Sequence, residues 1–292
     1  MDIICWWSGG ITSAVACKLA LEIYGLDRCR FIMIDTRNED PDTYRFKKDC
    51  EAWYNKDIEV IDGFGDKYKT IQDVWRKHNS LNTANGAICS SELKRNTREK
   101  WEKNNTFSHQ IFGFEFNSPE FKRSLSLSLN HPNTKPLFPL LMYGWDKEKC
   151  LNYIQGSGIE VPRMYRLGFK NNNCFQTGCP QGGIGYFQKL FHEHNDKYMA
   201  MSRMEHELTD SKGSPVTCLK DQGKESIEMA KKLGLKRKYM PLFLMAHPDY
   251  PEYKTVMDKK SQKVEPLMEC NGLCGINELS PKNPTAGELN DE

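Results

Sequence analysis

The chain alternates between short apolar runs and longer segments whose apolar residues recur every three or four positions. The first run, DIICWW at 2–7, is continuous and apolar, as expected of a strand buried on both faces. TSAVACKLALEIYG at 12–25 has helical periodicity and stops at Gly25. CRFIMID at 29–35 predicts a second buried strand, followed by a polar loop and a helix that opens near Asp40 and Pro41. IEVIDGF at 58–64 and HQIFGFEF at 109–116 predict third and fourth strands, with helices over TIQDVWRKH at 70–78 and SSELKRNTREKWEKN at 90–104 between them. KPLFPLLMYGW at 135–145 reads as an extended segment, and DKEKCLNYIQGSG at 146–158 as a helix capped by Asp146. Strands alternating with helices predict an α/β fold, a doubly wound, mostly parallel sheet with helices on both faces. Ligands of such sheets bind beyond the carboxyl ends of the strands.

The pattern changes near position 166. LGFKNNNCFQTGCPQGGIGYF at 167–187 is rich in Asn and Gly, and FQKLFHEHNDKYMAMSRMEHEL at 187–208 is helical, with more helix near 223–234. These shifts predict a first domain over 1–165, a smaller, mainly helical domain with Cys-rich loops over 166–280, and a disordered tail over 281–292. The Met and aromatic stripe of the long helix reads as core packing.

Charge changes this picture little: Lys and Arg number 41 against 39 for Asp and Glu, so the net +2 produces no strong field and any nucleic-acid contact must be local. The basic clusters at 91–103 and 232–240 read as solvated helix faces. No run approaches the ~18 apolar residues needed to span a bilayer, and the chain opens on a strand instead of a signal segment, so the expected location is cytoplasmic, without membrane contact. Eleven cysteines in that compartment point to reduced thiols, metal ligands or redox chemistry in place of a disulfide framework.

Two stretches carry candidate chemistry. WWSGGITSAV at 6–15 joins the first strand to the first helix. A helix start offers unpaired amides and partial positive charge, the two glycines let oxyanions approach the backbone, and Ser8, Thr12 and Ser13 add hydroxyls. Ser8, Gly9, Gly10, Ile11, Thr12 and Ser13 are therefore candidate phosphate ligands, in a pattern that is neither a Walker A loop nor a G-x-G-x-x-G turn. The second stretch is a set of cysteines in loops rich in Gly, Ser or Asn: Cys89, the C-x4-C pair Cys174 and Cys179, and the C-x3-C pair Cys270 and Cys274. Four of them can complete a four-sulfur site for zinc or an iron-sulfur cluster, and the alternative is free or persulfide-carrying thiols.

The phosphate turn, the IDT after the second strand, CSSELK at 89–94, GIEVPRMYRLGF at 158–169 and the NNNC and GC that follow together resemble the phosphoadenosine phosphosulfate reductase family of the PP-loop ATP pyrophosphatase superfamily. The resemblance spans about residues 1–190 and the Cys-rich end, and is closest in kind to the prokaryotic and phage branch that includes DNA phosphorothioation sulfurtransferases. It implies a PP-loop nucleotide-binding domain, ATP with Mg2+, and adenine set against the backbone of Ile34, Asp35 and Thr36. It implies an iron-sulfur cluster held by Cys89, Cys174, Cys179 and Cys270, with zinc as the alternative, and Cys274 as a sulfur carrier. Lys94 and Arg95 would supply positive charge to the phosphates.

On that basis the expected activity is an ATP pyrophosphatase that adenylates an acceptor oxygen for sulfur insertion, with a cysteine desulfurase as sulfur donor, a nucleic acid, DNA above all, as acceptor, and a homodimer left open. The chain departs from the pattern twice: Thr12 stands where ATP-using members carry Asp, and ECNGLCGIN at 269–277 lacks the histidine of reductase endings. The alternatives are thiol-dependent reduction of a sulfonucleotide and a non-catalytic nucleotide-binding subunit.

Overall fold

The computed structural model describes residues 1–83, 86–221, 224, 228, 231–232, 239–245, 249, 256–257 and 264–267. Cys270, Cys274 and the 281–292 segment lie outside the described residues.

The central sheet has the order β3-β2-β1-β6-β7 and is parallel throughout, built from β1 (Ile3–Trp6), β2 (Cys29–Asp35), β3 (Ile58–Asp62), β6 (His109–Ile111) and β7 (Pro136–Leu137). The chain runs outward from β1 through β2 to β3 and then returns to β6 on the other side of β1. The order reverses between β1 and β6, where the connections leave a crevice beyond the strand ends. Two short antiparallel pairs, β4 (Asn82–Thr83) with β5 (Gly86–Ala87) and β8 (Leu219–Lys220) with β9 (Tyr239–Met240), lie apart from it.

Alternation along β1 explains why its sequence is uniformly apolar. Ile3, Cys5 and Trp7 pack on one face with helices α1 (Ile11–Tyr24), α2 (Asp42–Tyr54) and α7 (Lys147–Gly156), while Ile4 and Trp6 pack on the other with Phe112, Phe114 and Leu127. Helix α4 (Asn96–Asn104) lies on this second face, where Trp101 packs edge-on against Trp6, and α5 (Ser118–Asn130) brings Leu127 to it. A third core joins α3 (Ile71–His78) and the loops around it to α9 (Ile184–Glu193) and α10 (Asn195–Lys212), so Trp75, Cys89 and Leu93 share one apolar cluster with Cys174, Tyr186 and Met201.

Local signals set most helix ends. Thr70 and Asp73 form a capping box at α3, Asp146 caps α7 by accepting from the Lys149 amide at 2.9 Å, and Gly25 at φ +86 closes α1. Two segments differ from expectation. The 135–145 stretch is extended only at β7, because Pro139 at the first helical position and left-handed Gly144 bracket the short helix α6 (Pro139–Tyr143). SSELKRNTREKWEKN is not one uniform helix, since Ser90–Arg95 forms a π-helical turn before α4. Among the described residues no helix is long and apolar enough to cross a membrane.

Candidate functional site

The Ser8-Gly9-Gly10 turn leaves β1 at its carboxyl end and enters the 14-residue helix α1. Gly9 sits at φ +89, and a Cβ there would lie 2.8 Å from the Thr43 methyl, so this position requires glycine on two counts. The turn is locked by its own hydroxyls: Ser13 Oγ accepts from the Ser8 amide at 3.1 Å and the Ser8 hydroxyl at 2.9 Å, and donates to the Gly10 carbonyl at 2.9 Å. Gly10 caps α1 without a side-chain acceptor, and the Ile11 amide donates to the Tyr165 hydroxyl at 3.2 Å. Thr12 and Ser13 are buried. The first turn of α1 is thus held rigid with the dipole's positive end directed at the sheet's carboxyl edge.

The end of β6 presses on the same turn. A Cβ at Gly113 would stand 2.5 Å from Ser13 Cα, 2.6 Å from its amide nitrogen and 2.9 Å from the Thr12 carbonyl carbon. Only a residue without a side chain lets the two backbones meet across the switch point.

On the β2 side, the Asp35 carboxylate accepts from the Arg37 amide at 2.7 Å and the Tyr44 hydroxyl at 2.8 Å, and its carbonyl takes the Gly63 amide at 2.9 Å. The Asp35 contact and burial together push the Tyr44 hydroxyl well above its ordinary pKa, with burial the larger cause. Buried Thr36 donates to Glu39 Oε1 at 2.9 Å, and the Lys94 ammonium lies 3.3 Å from the same oxygen. Lys94, carried by the π-helical turn, and Glu39 are both almost fully buried, and their pairing, with the Thr36 hydroxyl and the Asn38 amide also donating to Glu39, offsets lost hydration.

The Asn-rich segment closes over these elements. Asn172 Nδ2 donates to the Gly9 carbonyl and to Thr43 Oγ1, each at 2.9 Å, Cys174 forms an isolated β-bridge with Glu39, and the Phe175 amide donates to the Asn38 carbonyl at 2.8 Å. Ser8, Gly10, Glu39, Lys94, Asn172, Asn173 and Cys174 line a cavity of about 10 Å³ beneath this strap. That volume holds one water-sized group. Two buried atoms of the strap have no hydrogen-bond partner among the described residues: Asn172 Oδ1 and Asn173 Nδ2.

The structure therefore brings Ser8, Gly10, Lys94 and Cys174 of the sequence-derived candidates around one cavity. Gly9, Ile11, Thr12 and Ser13 belong to the same turn and helix start but do not line the cavity, and Thr36 donates to Glu39, which does. Ile34 and Asp35 end β2 one residue before Thr36 and do not line the cavity. Arg95 sits at the junction of the π turn and α4, half-buried and outside the lining. Glu39, Asn172, Asn173 and Gly113 are contributions that sequence reasoning missed. A glycine between two phenylalanines at a strand end is the one local signal that pointed to a close backbone approach.

Cys89, Cys174 and Cys179 are buried in the same apolar cluster. Among the described residues, however, no group of three or more His, Cys, Asp or Glu is placed to hold a metal ion, so these thiols do not by themselves form a ligand set. Cys218 is nearby in electrostatic terms, and burial, then the Glu205 carboxylate, push its thiol far above the ordinary value. Such a thiol stays protonated and unreactive at neutral pH.

The family profile described as phosphoadenosine phosphosulfate reductase domain matches residues 2–180. A crystal structure of phosphoadenylyl-sulfate (PAPS) reductase from Candida auris, in a phosphate complex, is similar at 17% identity over 60% of this chain and 82% of that chain, with a TM-score of 0.45. Among curated proteins none matches the sequence.

Proposed function

The chain belongs to the phosphoadenosine phosphosulfate reductase domain family, and from that premise we propose that it grips an adenine nucleotide by its phosphates at the α1 turn and uses it to activate an acceptor for sulfur insertion. The observation that supports this most is the convergence of Ser8, Gly10, Lys94 and the unpartnered Asn173 amide on one cavity at a helix N-terminus. A buried donor without an acceptor costs about 1–3 kcal/mol, and an oxyanion supplies the acceptor. Because the cavity holds only a water-sized group, the Asn172–Cys174 strap moves off the turn as the phosphates enter.

The acceptor oxygen attacks the α phosphorus, the bond from that phosphorus to the bridging oxygen breaks, and pyrophosphate leaves with the electron pair. The protein's part is positioning and charge neutralisation. The Ser8–Ser13 hydroxyl lock holds the turn's amides in place before the ligand arrives. Lys94 exchanges part of its contact with Glu39 for the phosphate oxygens, and so meets the charge without a large change in its own hydration. Glu39, the carboxylate among the cavity's lining residues, would be the ligand for an Mg2+ ion accompanying the nucleotide, which would supply further positive charge to the phosphates. A persulfide sulfur from a cysteine desulfurase then attacks the activated centre of the acceptor and AMP leaves with the oxygen that joined them, after which a second thiol cleaves the remaining sulfur–sulfur bond, forming a disulfide and releasing the thio-substituted acceptor. DNA is the acceptor this reading favours, by the branch that the sequence resembles.

A second reading, thiol-dependent reduction of a sulfonucleotide, gains support from Cys174, whose position in the cavity wall sets a thiol beside the anion site. The four-sulfur centre would be completed by Cys270, which lies outside the described residues. Iron, zinc and acid-labile sulfide analysis of anaerobically purified protein tests it.

Labelled ATP incubated with the protein, Mg2+ and a DNA acceptor tests the first reading. Pyrophosphate release above the acceptor-free rate is expected. No release, with consumption of phosphoadenosine phosphosulfate in dithiothreitol, replaces it with the second.

A further inference from the structure

Large apolar side chains left in solvent are not scattered evenly over the surface. Among the described residues six of the ten fall in one stretch of chain: Phe116, Phe121, Leu125, Leu129, Met142 and Tyr143, between 41% and 66% exposed. Phe121, Leu125 and Leu129 follow one another at four-residue spacing and form a stripe along α5, whose other side carries buried Leu127 into the core of the second sheet face. The remaining exposed residues of α5 are Ser118, Pro119, Lys122 and Ser128, so its outer face shows solvent a single charge. A solvated helix carries polar residues on that face instead. Phe116, just before α5, extends the stripe: its amide donates to the Trp145 carbonyl at 2.8 Å, which sets it beside the end of α6, where Met142 and Tyr143 stand.

Size and symmetry indicate what covers this face. Six side chains of this kind, each about half exposed, present roughly 600 Å² of apolar surface, at the upper end of what the largest patch of a monomer shows. A homodimer interface of standard size buries about 800 Å² per subunit, of which roughly 500 Å² is apolar, so the patch meets that requirement. The stripe is also complementary to itself. A ridge of residues four apart packs into the groove of an identical helix, and a two-fold axis at Leu125 brings Phe121 of each copy against the partner's Leu129. In that antiparallel arrangement Lys122 lies beside the last turn of the partner's α5, where the helix carbonyls concentrate negative potential. A parallel pair would set the two lysines side by side.

We propose that α5, with Phe116, Met142 and Tyr143 at its N-terminal end, is a homodimer interface, covered by a second copy of this chain about a two-fold axis near Leu125. The inference stands apart from the nucleotide reading, since none of these residues lines the cavity at the α1 turn.

Sedimentation equilibrium of the full chain over a concentration series tests it on the wild type, Leu125→Asp, Leu129→Asp and Lys122→Glu. The wild type should be a dimer at micromolar concentration. Either aspartate places an unpaired charge inside the contact and should raise the dimer's dissociation constant at least tenfold. Both positions face solvent in a single chain, so the far-UV spectrum of the monomer should not change. Lys122→Glu should weaken the dimer several-fold at low salt, and the loss should shrink as salt is added. In the wild type, methyl NMR resonances of Leu125 and Leu129 should shift as the chain is concentrated, a readout that needs no variant. A wild type that stays monomeric across the series overturns the inference, whether it remains free, binds another protein or floats with phosphatidylglycerol vesicles. A dimer that both aspartate variants leave at wild-type strength, or leucine resonances that ignore concentration, places the contact elsewhere and overturns it too. Equal strength of the Lys122→Glu and wild-type dimers at low salt overturns the antiparallel arrangement.

Discussion

Gly9→Ala probes the phosphate turn through two separable costs. The backbone at φ +89 is left-handed, and an L side chain there costs about 1–2 kcal/mol. The added Cβ also falls 2.8 Å from Thr43 Cγ2, so the turn and α2 must part by several tenths of an ångström or overpack, a cost of about 1–3 kcal/mol. Together these predict a loss of roughly 2–5 kcal/mol. Thr43→Ser separates them, since it deletes the methyl and keeps the hydroxyl that accepts from Asn172 Nδ2. In the Thr43→Ser background, Gly9→Ala should cost only the backbone share, and the double-mutant cycle should yield a coupling of about 1 kcal/mol or more. Guanidinium denaturation of the four proteins measures this. Equal costs of Gly9→Ala in both backgrounds would refute the contact, and no cost in either would refute the left-handed turn itself.

Gly113→Ala should push the end of β6 away from Ser13, lowering Tm and, because a misplacement on the order of 1 Å costs ~100-fold in a positioned reaction, abolishing most pyrophosphate release; wild-type turnover would contradict the close approach. Lys94→Met leaves Glu39 buried without its partner, so a stability loss of about 3–5 kcal/mol should accompany at least tenfold weaker pyrophosphate binding in calorimetry. Glu205 accepts from the Cys218 amide at 2.5 Å and the Leu242 amide at 2.6 Å, and burial pushes its carboxyl up to about 8. The folded chain therefore keeps a proton that the unfolded chain releases, so this group's stability is full below about pH 4.5 and drains as pH rises through about 8, by up to about 1.4 kcal/mol per pH unit. Denaturation curves across that range should show the slope, and Glu205→Gln should flatten it.

Much of this was legible because it is local. The continuous apolar run at β1 reports burial on both faces, and the Ser8–Ser13 turn declares itself by hydroxyls and glycines five residues apart. Asp146 is a cap in sequence and in structure for the same reason. The missed residues are those that topology imports. Asn172 reaches Gly9 across 163 positions, and Glu39 meets Lys94 across 55, separations over which no periodicity carries information. The NNN run at 171–173 reads in sequence as the setting of Cys174, whereas in the fold Asn172 and Asn173 line the cavity. Arg98 looked like one more charge on a solvated helix, because a sequence does not reveal which turn of a helix faces the sheet.

Titrating ATP and phosphoadenosine phosphosulfate into the folded chain, beside Asn173→Ala, tests the central claim most directly. The account predicts saturable heat with at least one nucleotide and a several-fold weaker response once the Asn173 amide is removed. Binding of neither nucleotide would contradict it.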